Sequence, residues 1–379
     1  MRILLVESSG RGFLSHYVHA LALGLSELGH DVRLVTGRRD ELASWSVPFA
    51  KSACLGRGAA AWLCLAREVS AFRPHVVHFQ WVGEPLLARL FAAWSRRLGT
   101  GLVYTPHNLL PHRARWLSMP TFRGFYRAMD RVVARDRHVA WAAEEMLGAS
   151  VDQLVHLPGS PNLLAHPAAP RRQVAELAPK QQGELRLLFF GHGCQRKGLG
   201  HLLASLGARE WPAVLHLVVA GEGVLRAAEP SALVRARGKA RITVVDRYLD
   251  PAEVAGLFAT ADLLLMPYVK LCKSPLVDLA LAFGLPILRS DRVETTCFVE
   301  GAHGFTVAHG DVAAFGHRLA QLVEQPGVLS ALRSAVAREE PVVAAMRRLA
   351  AAHARMYGEL AFAGARGPAV EAALALPSS

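Results

Sequence analysis

The sequence predicts an α/β protein built from two Rossmann-like domains, each a doubly wound parallel sheet, that face a cleft. Three observations support this fold class. The chain of 379 residues is long for a single hydrophobic core. Short apolar runs alternate with glycine turns and helical patterns in two series. A stretch rich in proline, alanine and polar residues, 160–183, separates the two series.

The first series begins at the N-terminus. The apolar run RILLV is followed by the loop SSGRG, a helical pattern that ends at Gly29 and a second apolar run, DVRLVTG. Strand, loop, helix and strand make one βαβ unit, whose parallel strands need a right-handed crossover. Further strands are predicted at residues 74–79, 101–105, 131–134 and 153–157. We therefore expect an N-terminal domain over 1–165 and a linker over 166–183.

The second series follows the linker. It contains LRLLFFGHGCQRKG, VLHLVVAGEGV, ARITVVD, DLLLMPY and LPILRSD, with helical patterns between them, and it predicts a domain over 184–340. An amphipathic pattern predicts a helix over 341–363 that packs back on the domains, and we expect the tail 364–379 to be disordered. Ligands of such sheets bind at the carboxyl ends of the strands, so the cleft is the expected ligand site.

Composition limits the classes of protein. The five cysteines are widely spaced without a C-x-x-C pair, which predicts reduced thiols, no structural metal and a cytoplasmic protein. The start MRILLVESSG lacks the features of a secretion signal, and no run of 18 apolar residues predicts a spanning helix. The net charge of +12 predicts attraction to nucleotide sugars, polyprenyl phosphates, an anionic membrane face or nucleic acid, although coding-DNA composition alone also explains it.

The segment GHGCQRKG, residues 191–198, follows a predicted strand and precedes a predicted helix. Backbone N–H groups at such a helix start, with Arg196 and Lys197 beside them, would bind a diphosphate. The same strand, turn and helix also occur in α/β proteins for structural reasons alone. The pattern by itself leaves both interpretations open.

The order and spacing of several segments resemble the large group of retaining GT-B enzymes called glycosyltransferase family four. In the first half the resemblance rests on SSGRGFLSHYVHALALGLSELGHDVRLVTG, FRPHVVHFQW and VYTPHNLLPH. In the second half it rests on LLFFGHGCQRKGLGHLL, VVAGEGV, ADLLLMPY and SPLVDLALAFGLPIL. The resemblance covers nearly the whole chain. It implies a GT-B fold that binds the acceptor on the N-terminal domain and a nucleoside diphosphate sugar, a co-substrate rather than a cofactor, on the C-terminal domain.

The resemblance also implies catalytic roles. Lys197 falls on the lysine that neutralises the leaving diphosphate, and Arg196 beside it would share that charge. His107 falls on the histidine near the reacting end of the donor sugar, although a lone histidine is often only a core or loop residue. We expect no metal ion, because these cations and the helix termini would neutralise the diphosphate.

Further candidates are binding residues. On the donor side, Ser274 and Pro275 fall on a turn that approaches the phosphates or the sugar. The other donor-side candidates are Gly191, His192, Gly193, Gly221, Glu222, Tyr268, Asp278 and Glu294. The acceptor-side candidates are Gly10, Gly12, Asn108 and His112. For the glycine turns and for His112, an ordinary structural role is the competing interpretation.

The chain departs from the pattern of the group in two places. The group has an arginine directly after the strand glycine, where this chain has His192. The group also has two glutamates eight residues apart that contact the sugar and the ribose, and this chain has Leu271 and Leu279 at those positions. Asp278 and Glu294 are the nearest acids that could bind these hydroxyls. The identity of the donor sugar therefore stays open.

Other chemistries lack their motifs. The sequence contains no H-E-x-x-H, no C-x-x-C, no phosphate-binding G-x-x-x-x-G-K-[ST] and no metal-bridging D-x-D. Its arginines are scattered rather than interleaved with aromatic residues, so we expect no nucleic-acid partner. The segment FRGFYRAMDR is the exception, and it is either a patch for membrane or lipid-linked acceptor or an amphipathic helix of the N-terminal domain.

These observations predict the transfer of a glycosyl unit from a nucleoside diphosphate sugar to an acceptor hydroxyl, with retention of anomeric configuration. Polysaccharide or glycolipid assembly on a polyprenyl-linked or other lipid-linked acceptor, by a protein at the inner face of the cell membrane, is the expected setting. Glycosylation of a soluble metabolite, a GT-B sugar-nucleotide epimerase and a catalytically silent nucleotide-sugar-binding subunit are the alternatives.

Overall fold

The computed structural model describes residues 1–107, 115–135, 137–157, 159, 161–295, 297–337 and 340–365. The chain forms two compact units. The first is Met1–Leu163 together with the chain from Val343 on, and the second is Leu164–Val342. The chain therefore returns to the first unit after completing the second.

The first unit is built on a parallel sheet. Its strands are β1 (Arg2–Glu7), β2 (Asp31–Gly37), β3 (Ala50–Leu55), β4 (Val76–Phe79), β5 (Gly101–Tyr104), β6 (Arg131–Ala134) and β7 (Leu154–His156). They lie in the order β3-β2-β1-β4-β5-β6-β7. The connecting helices are α1 (Gly12–Glu27), α2 (Ala59–Phe72), α3 (Pro85–Arg96), α4 (Arg115–Arg127) and α5 (Arg137–Glu145).

The second unit repeats this architecture. Its strands are β8 (Leu185–Phe190), β9 (Leu215–Ala220), β10 (Arg241–Val245), β11 (Leu263–Met266), β12 (Cys272–Lys273), β13 (Ile287–Ser290), β14 (Val293–Glu294) and β15 (Gly304–Val307). The main sheet has the order β10-β9-β8-β11-β13-β15, and β12 pairs with β14 separately. The helices are α6 (Leu199–Gly207), α7 (Pro230–Arg237), α8 (Pro251–Thr260), α9 (Leu276–Ala282), α10 (Val312–Glu324) and α11 (Pro326–Val336). The prediction of two α/β units with parallel sheets is confirmed.

Both faces of the first sheet are buried, as a parallel sheet requires. Successive residues of β1 point to opposite faces. Leu4 and Val6 join a core with α2, α3 and α4, whereas Ile3 and Leu5 join a core with α1 and the C-terminal helix. This two-sided burial explains why the strand reads as a continuous apolar run rather than an alternating one.

The C-terminal helix, α12 (Val342–Ala365), spans the stretch where the sequence predicts such a helix. It packs closely on α1, since a methyl group on Gly24 would come within 2.8 Å of the Cβ of Ala350. Tyr357 of α12 is fully buried in the first unit. The tail that we predict to be disordered lies, from residue 366 on, outside the described residues.

The prediction of reduced cysteines is wrong for one pair. Cys54, near the end of β3, and Cys64, in α2, form a disulfide with their Cα atoms 6.5 Å apart. The turn from strand to helix brings these two residues together although ten positions separate them. Cys194, Cys272 and Cys297 are free thiols.

The segment FRGFYRAMDR belongs mostly to α4, and its aromatic side chains are part of the core. Phe122, Phe125 and Tyr126 are fully buried, and Tyr104 packs edge-on against Phe125 and Tyr126. Of the two interpretations of this segment, the amphipathic helix therefore describes its aromatic face. Among the described residues, no helix combines the length and the apolar character needed to cross a bilayer.

Candidate active site

The donor-side glycines lie in two turns at the carboxyl ends of β8 and β9. Gly191 follows β8, and its N–H donates to the carbonyl of Ala220 at 2.9 Å. The N–H of Gly193 donates to the carbonyl of Glu222 at 2.8 Å. The turns after two neighbouring strands are therefore joined backbone to backbone.

Gly193 and Gly221 make this close approach of the two turns possible. A Cβ atom on Gly193 would overlap the carbonyl of Gly223, and one on Gly221 would overlap the carbonyl of Gly191. Gly221 also has a φ of 138°, a conformation that favours glycine. Bare backbone at the end of the sheet is the result, and such backbone lets a ligand approach closely.

Lys197 ends a single 3₁₀ turn, Gln195–Lys197, and lies before the helix rather than in its first turn. Gly198, with a φ of 72°, separates this turn from α6. The Lys197 side chain folds back so that Nζ donates to the carbonyl of Phe190 at 3.3 Å and lies 6.0 Å from the ring centre of Tyr268. Burial lowers the pKa of Lys197, and no carboxylate among the described residues pairs with its ammonium. A partly desolvated cation without a counter-charge is suited to binding an anion.

Arg196 is exposed and adds a second positive charge beside Lys197. A hydrogen bond with Cys194 and the nearby Cys272 raise the pKa of the Arg196 guanidinium. The Arg196 carbonyl accepts a hydrogen bond from the N–H of Val269 at 2.9 Å, which ties this turn to the chain that follows β11.

Tyr268 and Ser274 form the side of the site that follows β11. Both residues are buried, and the Tyr268 hydroxyl lies 3.1 Å from Ser274 Oγ. Ser274 Oγ also accepts a hydrogen bond from the N–H of Leu276 at 3.4 Å, and Pro275 stands directly before α9. Burial raises the pKa of Tyr268 to about 12, so its hydroxyl stays protonated and able to donate.

The acidic donor-side candidates are Glu222, Asp278 and Glu294. The His192 and Glu222 side chains are largely exposed, with Nδ1 and Oε2 3.9 Å apart. Asp278 Oδ1 accepts a hydrogen bond from the thiol of Cys297 at 3.3 Å, and burial raises the pKa of that thiol to about 12. Glu294 is exposed on β14, the partner of β12.

In the first unit, Glu7 holds the first glycine loop. Glu7 is fully buried at the end of β1 and accepts hydrogen bonds from the N–H groups of Ser9 and Gly10 and from the hydroxyl of Thr36. Burial dominates these bonds and raises the pKa of Glu7 to about 7. The N–H of Gly10, an acceptor-side candidate, is thus bonded inside the loop.

A second carboxylate holds the start of α1. The N–H of Gly12 donates to Glu41 Oε1, and His16 Nε2 lies 2.8 Å from the same oxygen. The predicted contact of Gly10 and Gly12 with an acceptor stays a prediction, and in this structure both amides donate to carboxylates of their own unit. Glu7 and Glu41 belong to none of the motifs recognised in the sequence. A polar residue at the end of a buried strand is the signal that could have identified Glu7.

His107 follows β5 and is half-buried. Its Nδ1 accepts a hydrogen bond from Arg135 Nη1 at 3.0 Å, so Nε2 carries the proton and donates to Gln80 Oε1 at 3.1 Å. Burial first, and the charge of Arg135 second, hold the pKa of His107 well below its usual range. The imidazole is therefore neutral, with Tyr17 edge-on to it at 5.0 Å. Its contact with a donor sugar stays a prediction, and Asn108 and His112 lie outside the described residues.

The polar network continues into the core beneath Gln80. His78 of β4 lies with Nε2 2.8 Å from Thr105 Oγ1 and with Nδ1 2.6 Å from the hydroxyl of Tyr357. Burial holds the pKa of His78 well below its usual range, so this imidazole is neutral. The C-terminal helix thus supports the strand ends on which His107 and its neighbours lie.

Two family profiles match the chain. The profile described as Glycosyltransferase Family 4 matches residues 14–159, and the profile described as Glycosyl transferases group 1 matches residues 184–325. The chain belongs to the glycosyltransferases. The first match falls within the first unit and the second within the second unit, and the family resemblance predicted from the motifs is confirmed. A comparison with curated proteins gave no significant match.

Solved structures share the fold of this glycosyltransferase. The HepE protein of Anabaena in complex with UDP has a TM-score of 0.63 at 14% identity, over 94% of this chain and 100% of its own. Sucrose-phosphate synthase from Thermosynechococcus elongatus has a TM-score of 0.65 at 16% identity, over 96% and 100%. A Listeria monocytogenes protein assigned as a UDP-N-acetylglucosamine 2-epimerase has a TM-score of 0.65 at 13% identity, over 94% and 97%. The predicted GT-B fold is therefore confirmed.

Proposed function

We propose that this glycosyltransferase transfers a hexosyl unit from a nucleoside diphosphate sugar to an acceptor hydroxyl, with retention of anomeric configuration. The second unit binds the donor and the first unit binds the acceptor. The observation that carries this proposal is the environment of Lys197, whose ammonium is partly buried, lacks a carboxylate partner among the described residues and lies beside bare glycine backbone.

The chemistry requires positive charge where the leaving diphosphate forms. As the glycosidic bond breaks, its electron pair goes to the diphosphate oxygen, and Lys197 and Arg196 neutralise the developing charge. The N–H groups of Leu199 and Gly200, at the start of α6, donate no hydrogen bond within the described structure and add their dipoles. With these groups in place, we propose that transfer requires neither a metal ion nor an organic cofactor.

A uridine diphosphate sugar is the first donor to test. The HepE structures that contain UDP and UDP-glucose support this choice, because they share the fold over nearly the whole chain. The positive net charge of +12 supports an anionic acceptor such as a polyprenyl-linked sugar at the inner membrane face, in polysaccharide or glycolipid assembly. A soluble metabolite is the alternative acceptor.

Two other functions each have one observation in their favour. The similarity to the Listeria protein assigned as a 2-epimerase favours a sugar-nucleotide epimerase. The absence of both glutamates from the positions of Leu271 and Leu279 favours a silent subunit that binds a nucleotide sugar without turnover.

Calorimetric titration with a panel of nucleotide sugars, followed by transfer and hydrolysis assays on those that bind, separates these functions. Conversion of UDP-N-acetylglucosamine to its C2 epimer would indicate the epimerase. Binding without turnover on any acceptor would indicate the silent subunit. The anomeric configuration of a transfer product, measured by NMR, tests retention.

Lys197→Ala tests the role of the cation. We expect kcat to fall by about 10²–10³, the usual effect of removing one group that stabilises charge in the transition state. Lys239→Ala is the matched control, because Lys239 lies in the same unit and pairs on the surface with Glu210. Turnover of the Lys197 variant at the rate of the control would overturn the phosphate role.

A further inference from the structure

A cavity of about 430 Å³ opens in the first unit between the ends of β1 and β4 and the turn from β3 to α2. Its floor is apolar and almost completely buried. Val6, Leu65, Phe79 and Val82 are each at most 3% exposed. The volume falls within the range of about 300–1,000 Å³ that is typical of small-molecule sites. None of the residues proposed above for catalysis or donor binding lines this pocket.

The wall formed by Trp62 is held in a fixed position. Trp62 Nε1 donates to Glu84 Oε2 at 3.0 Å, and the N–H of Gly58 donates to the other oxygen of Glu84 at 2.9 Å. The Trp62 ring also packs against Phe79 and Phe91, with centroids 6.3 and 5.7 Å apart. The polar atoms of Trp62 and Glu84 are therefore already paired, and this wall offers a ligand mainly an apolar surface.

A cation stands at the edge of this apolar pocket. Arg57 lines the pocket, is exposed, and forms no ion pair or hydrogen bond with any residue that the structure describes. Its turn is closed by the disulfide between Cys54 and Cys64. A sugar bound alone would need many hydrogen-bonding groups, and this lining supplies few. An apolar body that carries an anion complements both the floor and Arg57.

We propose that this pocket binds an isoprenyl phosphate, as the lipid end of the acceptor. The isoprenyl chain packs on the floor between Trp62 and Phe79, and the phosphate pairs with the guanidinium of Arg57. This inference rests on the proposed function, because an isoprenyl phosphate is part of the acceptor only if the protein is a transferase. The pocket itself can be tested without a donor or turnover.

Farnesyl phosphate, kept below its aggregation concentration, is the probe for calorimetric titration of the full chain. Farnesol, which lacks the anion, and inorganic phosphate, which lacks the chain, are the two comparison ligands. We expect saturable binding of farnesyl phosphate at least about tenfold tighter than of farnesol, since a hydrogen bond to a charged group is worth that much. Inorganic phosphate should show no saturable binding to this pocket.

Arg57→Ala should weaken farnesyl phosphate binding about tenfold or more and leave farnesol binding unchanged. Arg67→Ala is the matched control, because Arg67 is an exposed arginine of α2 that does not line the pocket. Equal farnesyl phosphate affinity in the two variants would overturn the role of Arg57.

Gly83→Leu tests the pocket independently of charge. Gly83 lines the pocket and a Cβ atom there would meet nothing within 4 Å, so a larger side chain is accommodated without a clash, and at this position we expect it to narrow the pocket. We expect this variant to lose farnesyl phosphate and farnesol binding, whereas Gly83→Ala keeps both. Wild-type affinity in Gly83→Leu, or no saturable binding to the unaltered protein, would overturn the proposal.

The same variants separate failure of the pocket from failure of the proposed function. Nucleotide-sugar binding is measured in parallel and should be unchanged in Gly83→Leu. Suppose that Gly83→Leu loses farnesyl phosphate binding and that the unaltered protein turns over no nucleotide sugar. This result would support the pocket and refute the transferase function. Transfer to soluble acceptors by a protein that does not bind farnesyl phosphate would refute the pocket alone.

Discussion

Replacing Glu7 by glutamine should remove a pH dependence from the stability of the first unit. Glu7 is completely buried at the end of β1, and burial raises its pKa from the ordinary 4.5 to about 7 despite three hydrogen bonds to the carboxylate. Glutamine has nearly the same shape but does not titrate. The comparison therefore isolates the contribution of one proton.

The sign of this pH dependence follows from whether the folded or the unfolded chain holds the proton of Glu7. Between pH 4.5 and about 7 the folded chain keeps Glu7 protonated while the unfolded chain has lost the proton. The stabilising contribution is therefore complete below pH 4.5, and the free energy of unfolding falls as the pH rises through this window. The whole difference corresponds to about 3 kcal/mol, of which about 2 kcal/mol falls between pH 5 and pH 8.

Urea unfolding at pH 5 and pH 8, followed by tryptophan fluorescence, measures this effect. Of the seven tryptophans only Trp211 lies in the second unit, so the signal reports mainly on the first. Relative to the unaltered protein, Glu7→Gln should gain about 2 kcal/mol between pH 5 and pH 8. Glu68→Gln, which removes a partly exposed ion pair with Arg33 of the same unit, is the control. The same pH dependence in the unaltered protein and in Glu7→Gln would refute the assignment of a raised pKa to Glu7.

Three further changes test other parts of the structure. Gly193→Ala should weaken nucleotide-sugar binding about tenfold or more, as the loss of a charged contact would, because the added methyl group would overlap the facing glycine turn. Calorimetric titration measures the affinity, and an unchanged circular dichroism spectrum shows that the variant is folded. Reduction of the disulfide between Cys54 and Cys64 should lower the unfolding free energy of the first unit by about 2–3 kcal/mol, and the double serine variant should not respond to reductant. Arg135→Met should raise the pKa of His107 toward its usual range, since one of the two causes of its lowering is removed; an NMR titration that finds no change would contradict this.

Strands buried on both faces could be predicted from sequence, and so could the edge strands β7 and β10, because each contains a short apolar run. β1 contains the apolar run ILLV and β9 the run LVVA, because most of each strand is buried in the interior of its unit. The edge strand β3, Ala50–Leu55, is mostly half-buried or exposed, and its sequence AKSACL has no such run. The position of β3 could therefore not be predicted from the sequence. The same holds for the disulfide between Cys54 and Cys64, which depends on the turn from β3 to α2.

The residues of the candidate site also differ in how far they could be predicted from sequence. Lys197 and Ser274 could be identified because each belongs to a local motif whose spacing is set by one turn. Glu7, Gln80 and Arg135 acquire their roles through hydrogen bonds to residues 2 to 29 positions away, most of them across neighbouring strands. Strand order decides which of these side chains meet, and no local pattern encodes strand order.

The two positions at which the family has glutamates, occupied here by Leu271 and Leu279, differ in their burial. Leu279 is 4% exposed in α9 and packs as a buried apolar side chain, whereas Leu271 is 65% exposed and contributes little to the core. The neighbouring acid, Asp278, already accepts a hydrogen bond from the Cys297 thiol. If the second unit binds a nucleotide sugar as proposed, we expect the hydroxyls of Tyr268 and Ser274, the backbone of the glycine turns and the exposed carboxylates of Glu222 and Glu294 to be the groups left to contact sugar and ribose. We then expect the cations Lys197 and Arg196 to supply the larger share of donor affinity, with correspondingly weaker discrimination among sugars.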